Sequence, residues 1–442
     1  MDSTRFSGAS YRGANWQCVG QTQGRGRQDR DKQAGETIKD IYVYVLVEDF
    51  RRQMGLPDDA GSVAIEPAQG LDAETWAHNE FGAAALGDQR RTQRLVQAAQ
   101  AKGEKPGCSW PAAVEGNAAA TKGYYRLIDQ PEHGEVNMSN ILQTHRERTV
   151  QRIKAQKCVL CIQDSTDLDY SDLVQCEGLG VIGKNQTSTQ SKGLRLHSTL
   201  AVTDSGLPLG VLHGQCDARA LKPEHQGRAR SIPLEQKETF RWIQGHRNVV
   251  EISKRLPGVR LISVMDREGD FFDFFDQWRQ DRRVDVLVRA KHDRHTTEGT
   301  RLFEAVKSQR PQARLKVAVA RRSARRKKGR RAQRPARPAR PAEVAVRYRH
   351  VEIRPPRCGL NRHKDPMGLW IIHVVEENPP AGAQNPIEWF LLTTVDIDSV
   401  DTATQCVGWY GLRWRIEDWH RVLKSGCRIE DAAHRTAQRL RR

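Results

Sequence analysis

Two aspartates occupy positions where an ionised carboxylate is costly. Asp164 lies close after the apolar run CVLCI, and Asp266 directly follows the apolar run VRLISVM. A carboxylate at the end of a buried strand needs a partner charge, hydrogen bonds or a metal ion. Oxygen ligands on neighbouring strands favour Mg²⁺ or Mn²⁺ over Zn²⁺. For either aspartate alone, a turn-forming or capping role is the simpler interpretation.

A third acid lies in the segment WYGLRWRIEDWHRVLKSG, which predicts one continuous helix. At about 100° per residue, Tyr410, Arg413, Glu417 and Lys424 fall on one face of that helix. This combination suits a phosphate group, with Glu417 as a further metal ligand and the other three as donors to phosphate oxygens. The alternative is a solvated face with an Arg–Glu pair at i, i+4.

The elements that must position the two aspartates lie within residues 158–290. Three apolar segments predict a meander of strands, and a helix, a strand, a second helix and a last strand follow. The expected fold class is therefore α/β, a mixed sheet with helices, and its order matches the ribonuclease-H-like fold. The close pair Cys158 and Cys161 lies inside an apolar run, so we interpret both as small buried residues rather than zinc ligands.

The rest of the chain divides by composition. Ala-rich helical stretches carry Arg90, Arg91 and Arg94 close together, which is typical of either a solvated face or contacts to phosphates. The expected domains are an unassigned N-terminal extension open to disorder (1–70), a helical domain (71–140), the first part of an α/β domain (150–294), a β-rich insertion (295–395) and the second part of the α/β domain (396–442).

Charge points to a polyanionic partner. The formal net charge is +18, and eleven basic residues without any acid lie in 321–340. Prolines in this run favour an extended arm, for which non-specific DNA binding is preferred over a solvated linker. No apolar run is long enough to cross a membrane, and the N-terminus has no signal-peptide pattern, so a cytoplasmic protein is expected.

The spacing Y-x2-R-x3-E-x6-K, preceded by two strand-borne aspartates, resembles the signature of bacterial insertion-sequence DDE transposases. Within them it is similar to the insertion-sequence-four family and its transposon-five relatives. The resemblance extends from about Trp76 to the C-terminus, through ALGDQRRTQRL, EGNAAATKGYYRLI, IQDST, GLRLHSTLAV, VMDREGD, VRAKH and IEWFLLTT. Residues 1–70 lie outside it.

The resemblance implies that the helical domain binds DNA and that the α/β domain is catalytic. It also implies a role for each matching residue. Asp164, Asp266 and Glu417 would be the catalytic triad that holds two Mg²⁺ or Mn²⁺ ions. Trp389 would stack on a base flipped out near the transposon end. The basic and phenolic residues near the cut would hold DNA, and those of the helical domain would recognise terminal inverted repeats. These DNA-binding residues are Tyr410, Arg413, Lys424, Arg289, Lys291, Arg90, Arg91 and Arg94.

The implied reaction is cut-and-paste transposition, in which a nick, a hairpin, hairpin opening and attack on target DNA follow one another at a single site. The partners would be double-stranded terminal repeats and target DNA, with no membrane. Only 25 residues follow Glu417, so the module that pairs two transposases is expected to be missing and a homodimer is doubtful. The alternative is a truncated, non-transposing remnant that occupies inverted repeats.

Overall fold

The structure is a computed structural model of the chain. It describes residues 16–21, 39–44, 75–183, 191–220, 232–319, 340–380 and 386–442. The basic arm predicted over 321–340 lies outside the described residues except for Arg340. In the N-terminal segment, β1 (Trp16–Gln21) and β2 (Asp40–Tyr44) form an antiparallel pair.

Helices dominate the chain from Trp76 to Lys154. They are α1 (Trp76–Phe81), α2 (Gln89–Glu104), α3 (Trp110–Ala113), α4 (Ala118–Ile128) and α5 (Met138–Lys154). Side chains of Asp88, Asn117 and Asn137 accept hydrogen bonds from backbone N–H groups in the first turns of α2, α4 and α5. Such caps satisfy donors that have no partner inside the helix, and they fix where each helix begins.

The predicted order of sheet elements after α5 is confirmed. The strands are β3 (Cys158–Asp169), β4 (Gly180–Val181), β5 (Lys192–Thr203), β6 (Pro208–Asp217), β7 (Arg260–Met265) and β8 (Asp285–Arg289). Helix α6 (Phe240–Ser253) precedes β7, and α7 (Phe272–Gln280) precedes β8. The strand order is β6-β5-β3-β7-β8, in which β5 runs antiparallel to its neighbours and β3, β7 and β8 are parallel.

The strands of the region interpreted as a β-rich insertion continue this sheet. Helix α8 (Leu302–Lys307) is followed by β9 (Ala313–Val319), β10 (Arg340–Ile353), β11 (Met367–Val375) and β12 (Glu388–Thr393). Strand β12 pairs with β8, and the order continues β12-β11-β10-β9, all antiparallel. In the described part of the chain the result is one ten-stranded sheet.

Helices cover both faces of the sheet. Alternate strand residues such as Leu160 and Val264 pack against α9 (Val400–Gly411) and α10 (Trp414–Arg421). Residues of opposite parity, such as Met265 and Val286, pack against α6 and α7. This alternation follows from the two-residue period of a strand and buries the sheet on both sides. None of the helices in the described ranges is long and apolar enough to span a membrane.

The prediction of one continuous helix over 409–426 is wrong. Helix α9 ends at Gly411, α10 begins at Trp414, and a π-helical turn follows over Val422–Gly426. At the break the N–H groups of Arg413 and Ile416 bond to carbonyls three residues earlier instead of four. Gly411 is a weak helix former, which favours the interruption there. The single-face geometry inferred for the four polar residues therefore does not extend over the whole segment.

Candidate active site

Asp164 and Asp266 lie level with each other on adjacent parallel strands. The last parallel pair between β3 and β7 joins Ile162 to Val264. Both aspartates are two residues further along, where β7 has just ended. Adjacent strands are about 4.8 Å apart. The two aspartates therefore belong to neighbouring strands or their immediate ends, and their role as metal ligands stays a prediction.

Asp164 is a buried acid with too little positive charge around it. Its side chain is 17% exposed, and the nearest guanidinium nitrogen, Nη1 of Arg413, is 3.4 Å from Oδ2. The N–H of Ser165 donates to Oδ1 over 2.7 Å. Burial raises the pKa of Asp164 to about 7; the charges of Asp266 and Glu417 also raise it, whereas Arg413 lowers it. The three acids thus lie near enough to repel one another.

Arg413 connects the first acid to the third. Its Nη2 donates to Oε1 of Glu417 over 2.5 Å, and its Nη1 faces Asp164. Burial opposes the charge of Arg413, but Tyr410, Glu417 and Asp164 outweigh burial and raise its pKa. The cation therefore occupies the space between two carboxylates. We use "acid site" for Asp164, Asp266, Glu417 and Arg413.

Metal coordination would need a local change at this site. Among the described residues, no three His, Cys, Asp or Glu side chains are arranged as a metal-binding group. Glu417 is turned toward Arg413, and Oδ1 of Asp266 accepts the N–H of Glu268 over 2.7 Å. The donor set nevertheless consists only of carboxylate oxygens, which suits a hard cation. The raised pKa of Asp164 also indicates a site that lacks positive charge.

Two predicted residues flank the acid site as an aromatic pair. Tyr410 is buried, and Trp389 meets it edge to face with ring centroids 5.3 Å apart. Burial raises the pKa of the Tyr410 phenol, although Arg413 and Arg289 lower it. Arg289 donates to the carbonyl of Glu388 over 3.2 Å. Half-buried Trp389 therefore lies beside the site, with its stacking role untested.

The two predicted lysines lie apart from the three acids. Lys424, on the π-helical turn, donates to the carbonyl of Asp167 and is 3.0 Å from Oε1 of Glu430. Lys291 is exposed just beyond β8, and its N–H donates to Oδ2 of Asp270 over 2.6 Å. The helix break explains the position of Lys424, since α10 and the turn no longer share one continuous face.

Sequence reasoning did not predict a set of hydrogen bonds and ion pairs that connects the residues next to the two aspartates. The Nε of Arg241 donates to Oγ of Ser165 over 3.1 Å, and its Nη2 is 3.2 Å from Glu268. Because Ser165 follows Asp164 and the N–H of Glu268 bonds to Asp266, Arg241 links the strand that carries Asp164 to the turn that begins at Asp266. Arg241 lies 76 residues from Ser165 along the chain, so no spacing pattern could reveal the link.

His197 completes this support. Its Nδ1 is 2.9 Å from Oγ of Ser165, and its Nε2 is 3.2 Å from Oε1 of Gln163. Burial lowers the pKa of His197 well below its usual value, so the ring is neutral at physiological pH. Since the amide oxygen of Gln163 only accepts, Nε2 carries the proton and Nδ1 accepts from Ser165.

The predicted arginines of the helical domain lie on α2. Arg90 is exposed, and its Nη2 is 3.0 Å from Asp88. Arg91 donates to the carbonyl of Leu86 over 3.0 Å. Arg94 is half-buried beside Gly123 of α4. Of the three, Arg90 is therefore the most accessible to a DNA phosphate.

One comparison with known proteins bears on this helical part. Residues 73–133 match the family described as Transposase DNA-binding. The matched range contains α1 to α4 and therefore the three arginines. The match supports a transposase and supports DNA as the partner of this domain. Residues 73–133, which precede the sheet that holds the acid site, are thus similar to transposase DNA-binding domains.

Proposed function

We propose that this protein is a DDE transposase of the insertion-sequence-four type, which cleaves and joins DNA at terminal inverted repeats. The observation that carries the proposal is the level placement of Asp164 and Asp266 on parallel strands, with Glu417 tied to Asp164 through Arg413. The strand order β6-β5-β3-β7-β8 supports a ribonuclease-H-like catalytic fold. The transposase DNA-binding match over 73–133 supplies the context.

Asp164, Asp266 and Glu417 are the residues that would hold two Mg²⁺ or Mn²⁺ ions. When bound, such ions activate water and stabilise the leaving oxygen of a phosphodiester. The protein's part is to release Glu417 from Arg413 and to keep Asp164 ionised. Bound cations would offset both the burial of Asp164 and the repulsion from Asp266 and Glu417, which together raise the pKa of Asp164 to about 7.

The surrounding residues would position the scissile phosphate. Arg413 is already charged and buried, so its guanidinium can donate to phosphate oxygens once Glu417 turns away. The Tyr410 hydroxyl and Arg289 lie on the same side of the site. Trp389 packs on Tyr410 and offers an aromatic ring for an unstacked base. Lys424 would first have to leave Glu430.

A second candidate is a DNA-binding protein that occupies transposon ends without cutting them. The ion pair between Arg413 and Glu417 favours it, because this pair holds the third acid away from a metal-binding arrangement. The matched DNA-binding domain would serve either function.

Cleavage of the element's own ends separates the two candidates. We expect the purified protein with Mg²⁺ to nick an end-containing duplex and to form a hairpin. Glu417→Gln should reduce cleavage by about a thousandfold or more, because it removes a metal-ligand charge, and should leave DNA binding within about twofold.

The matched control is Asp418→Asn, which changes the neighbouring exposed acid paired with Arg421. This variant should cleave like the unchanged protein. Binding of the ends without any metal-dependent cleavage by the unchanged protein would favour the second candidate and overturn the first.

A further inference from the structure

A basic cavity lies next to the turn that follows Asp266. Residues 266–270 follow the end of β7, and Phe271 lines this cavity of about 880 Å³. The other walls come from 237–239, from 292–301 and from the loop 354–361 after β10. The acid site and this cavity are thus joined by a turn of a few residues.

The cavity gathers arginines that lack carboxylate partners. Arg301, Arg354 and Arg357 are exposed on its walls. In the ranges that the structure describes, no carboxylate forms an ion pair with any of the three. Two of them donate only to backbone carbonyls, Arg301 to Asp293 and Arg354 to Thr297. Their positive charges therefore remain available to a ligand.

The surrounding groups confirm an excess of positive charge. Arg301 is the main reason that the pKa of His295 lies below its usual value, and Arg357 and Arg354 lower it further. Asp293 acts in the opposite direction, and Asp273 is an acid on the wall.

The other positively charged side chains that line the cavity differ in whether a nearby acid neutralises them. Arg294 is neutralised by Asp270, whose Oδ1 lies 2.6 Å away. Lys237 is a further lining cation. The excess of positive over negative side chains in the cavity favours an anion larger than a single carboxylate.

The cavity is too large and too apolar for a simple ion. Phe271, Pro355 and Leu360 contribute non-polar surface beside the arginines. A nucleotide unit presents the same combination, a phosphate with flat, weakly polar sugar and base surfaces. Guanidinium groups suit phosphates because they donate in a planar fork.

We propose that this cavity binds the phosphodiester backbone of a DNA strand that leads away from the acid site. The inference rests on the proposed function, since it assigns a path to the substrate of that site. Arg301, Arg354 and Arg357 neutralise successive phosphates, and the apolar wall contacts the sugar or base between them. The strand is thereby held at the far end of the turn that begins with Asp266 of the acid site.

The first test measures the salt dependence of DNA binding without any metal. The full chain and its triple variant Arg301→Gln, Arg354→Gln, Arg357→Gln are titrated with an end-containing duplex that carries a single-stranded tail. We expect the slope of log K against log[salt] to fall by about two, since each neutralised phosphate contributes about 0.7–0.9. Affinity at low salt should weaken about tenfold.

The matched control removes the same number of positive charges at the other end of the parallel strands, where they begin. Lys254, Arg255 and Arg283 lie where β7 and β8 begin, each paired with a surface acid. Changing these three to Gln should alter the slope by less than about 0.5. Equal slopes for the two triple variants, with both folded by circular dichroism, would overturn the proposal.

A native cysteine provides a second readout. Cys358 is exposed on the cavity wall. Bound tailed DNA should slow its alkylation by maleimide at least about fivefold, whereas inorganic phosphate at the same phosphate concentration should not. Equal protection by phosphate, or none by DNA, would contradict a strand-binding site. Neither assay requires cleavage. Both can therefore be interpreted even if the protein does not cleave DNA.

Discussion

Glu80 and Asp164 are both acids with little exposure to solvent, yet their surroundings are opposite. Glu80, on α1, is 2.6 Å from Nδ1 of His145 and also forms an ion pair with Arg152, both on α5. Burial raises the pKa of Glu80, but these two partners outweigh it and the pKa lies below its usual value. For Asp164, burial together with two repelling acids outweighs the one guanidinium at 3.4 Å, so its pKa rises to about 7.

The difference distinguishes a structural carboxylate from the one for which we propose a catalytic role. His145 also accepts the N–H of Val211 at Nε2, so Nδ1 carries the proton that is donated to Glu80. Glu80, His145 and β6 thus form a closed network that docks the helical domain on the sheet. At Asp164 the network is left short of positive charge, which is typical of a site that binds a cationic ligand.

The largest expected effect on folding comes from removing the structural acid. Glu80→Gln should lower the free energy of unfolding by about 3 kcal/mol, because Arg152 would keep its charge in a half-buried place without its partner. Urea unfolding measures the change. Glu147→Gln on the same α5 breaks only an exposed pair with Arg255 and should cost less than about 1 kcal/mol. Equal losses would contradict a structural role for Glu80.

Removing the functional acid should act in the opposite direction. Asp164→Asn should raise the free energy of unfolding by about 2 kcal/mol at pH 8 without metal, because a buried charge beside two acids is lost. Cleavage should disappear in the same variant. A loss of stability like that of Glu80→Gln would show that Asp164 is held by its partners instead of strained by them.

The two acids should also respond to pH with opposite signs. Because the pKa of Asp164 is raised in the folded state, the folded protein loses stability relative to the unfolded chain as pH rises from about 4 to 7. The gain from Asp164→Asn should therefore vanish near pH 4. The pKa of Glu80 is lowered, so its stabilisation is present above its ordinary pKa of 4.5 and is lost as pH falls through the folded value. Unfolding of each variant from pH 3 to 8 measures both trends.

The smallest expected effect concerns the support behind the aspartates. Ser165→Ala removes the acceptor of Arg241 and a hydrogen bond to His197. We expect a loss of about 1 kcal/mol in stability and a several-fold fall in cleavage, because the turn that carries Asp266 is less firmly held. Ser171→Ala, at an exposed turn after β3, is the control for stability and should leave cleavage unchanged. Unchanged cleavage by Ser165→Ala would contradict a positioning role for Ser165.

Local pattern predicted the sheet elements and placed Asp266 correctly at the end of a strand, whereas β3 continues beyond Asp164 to Asp169. Apolar runs such as CVLCI and VRLISVM mark buried strands, and a carboxylate after each run is visible without any structure. Parallel pairing of β7 with β8 then fits the strand–helix–strand order β7–α7–β8. The site's aspartates were therefore within reach of the sequence.

Long-range strand pairing and small backbone irregularities could not be predicted from the sequence. The partner of β12 is β8, about a hundred residues earlier, and residue spacing does not encode that choice. The break after Gly411 depends on a few hydrogen bonds that shift from four residues to three. Arg241 reaches Ser165 only because α6 packs over the end of β3. These features arise from tertiary packing, which overrides local propensity.

Direct titration with Mn²⁺ tests the central claim, that Asp164, Asp266 and Glu417 form one cation-binding centre. At pH 8, electron paramagnetic resonance should detect Mn²⁺ bound to the unchanged protein and to Asp418→Asn. Asp164→Asn and Glu417→Gln should each weaken that binding by tenfold or more, because each removes a carboxylate oxygen from the set. Undiminished Mn²⁺ binding in both of these variants would contradict the account.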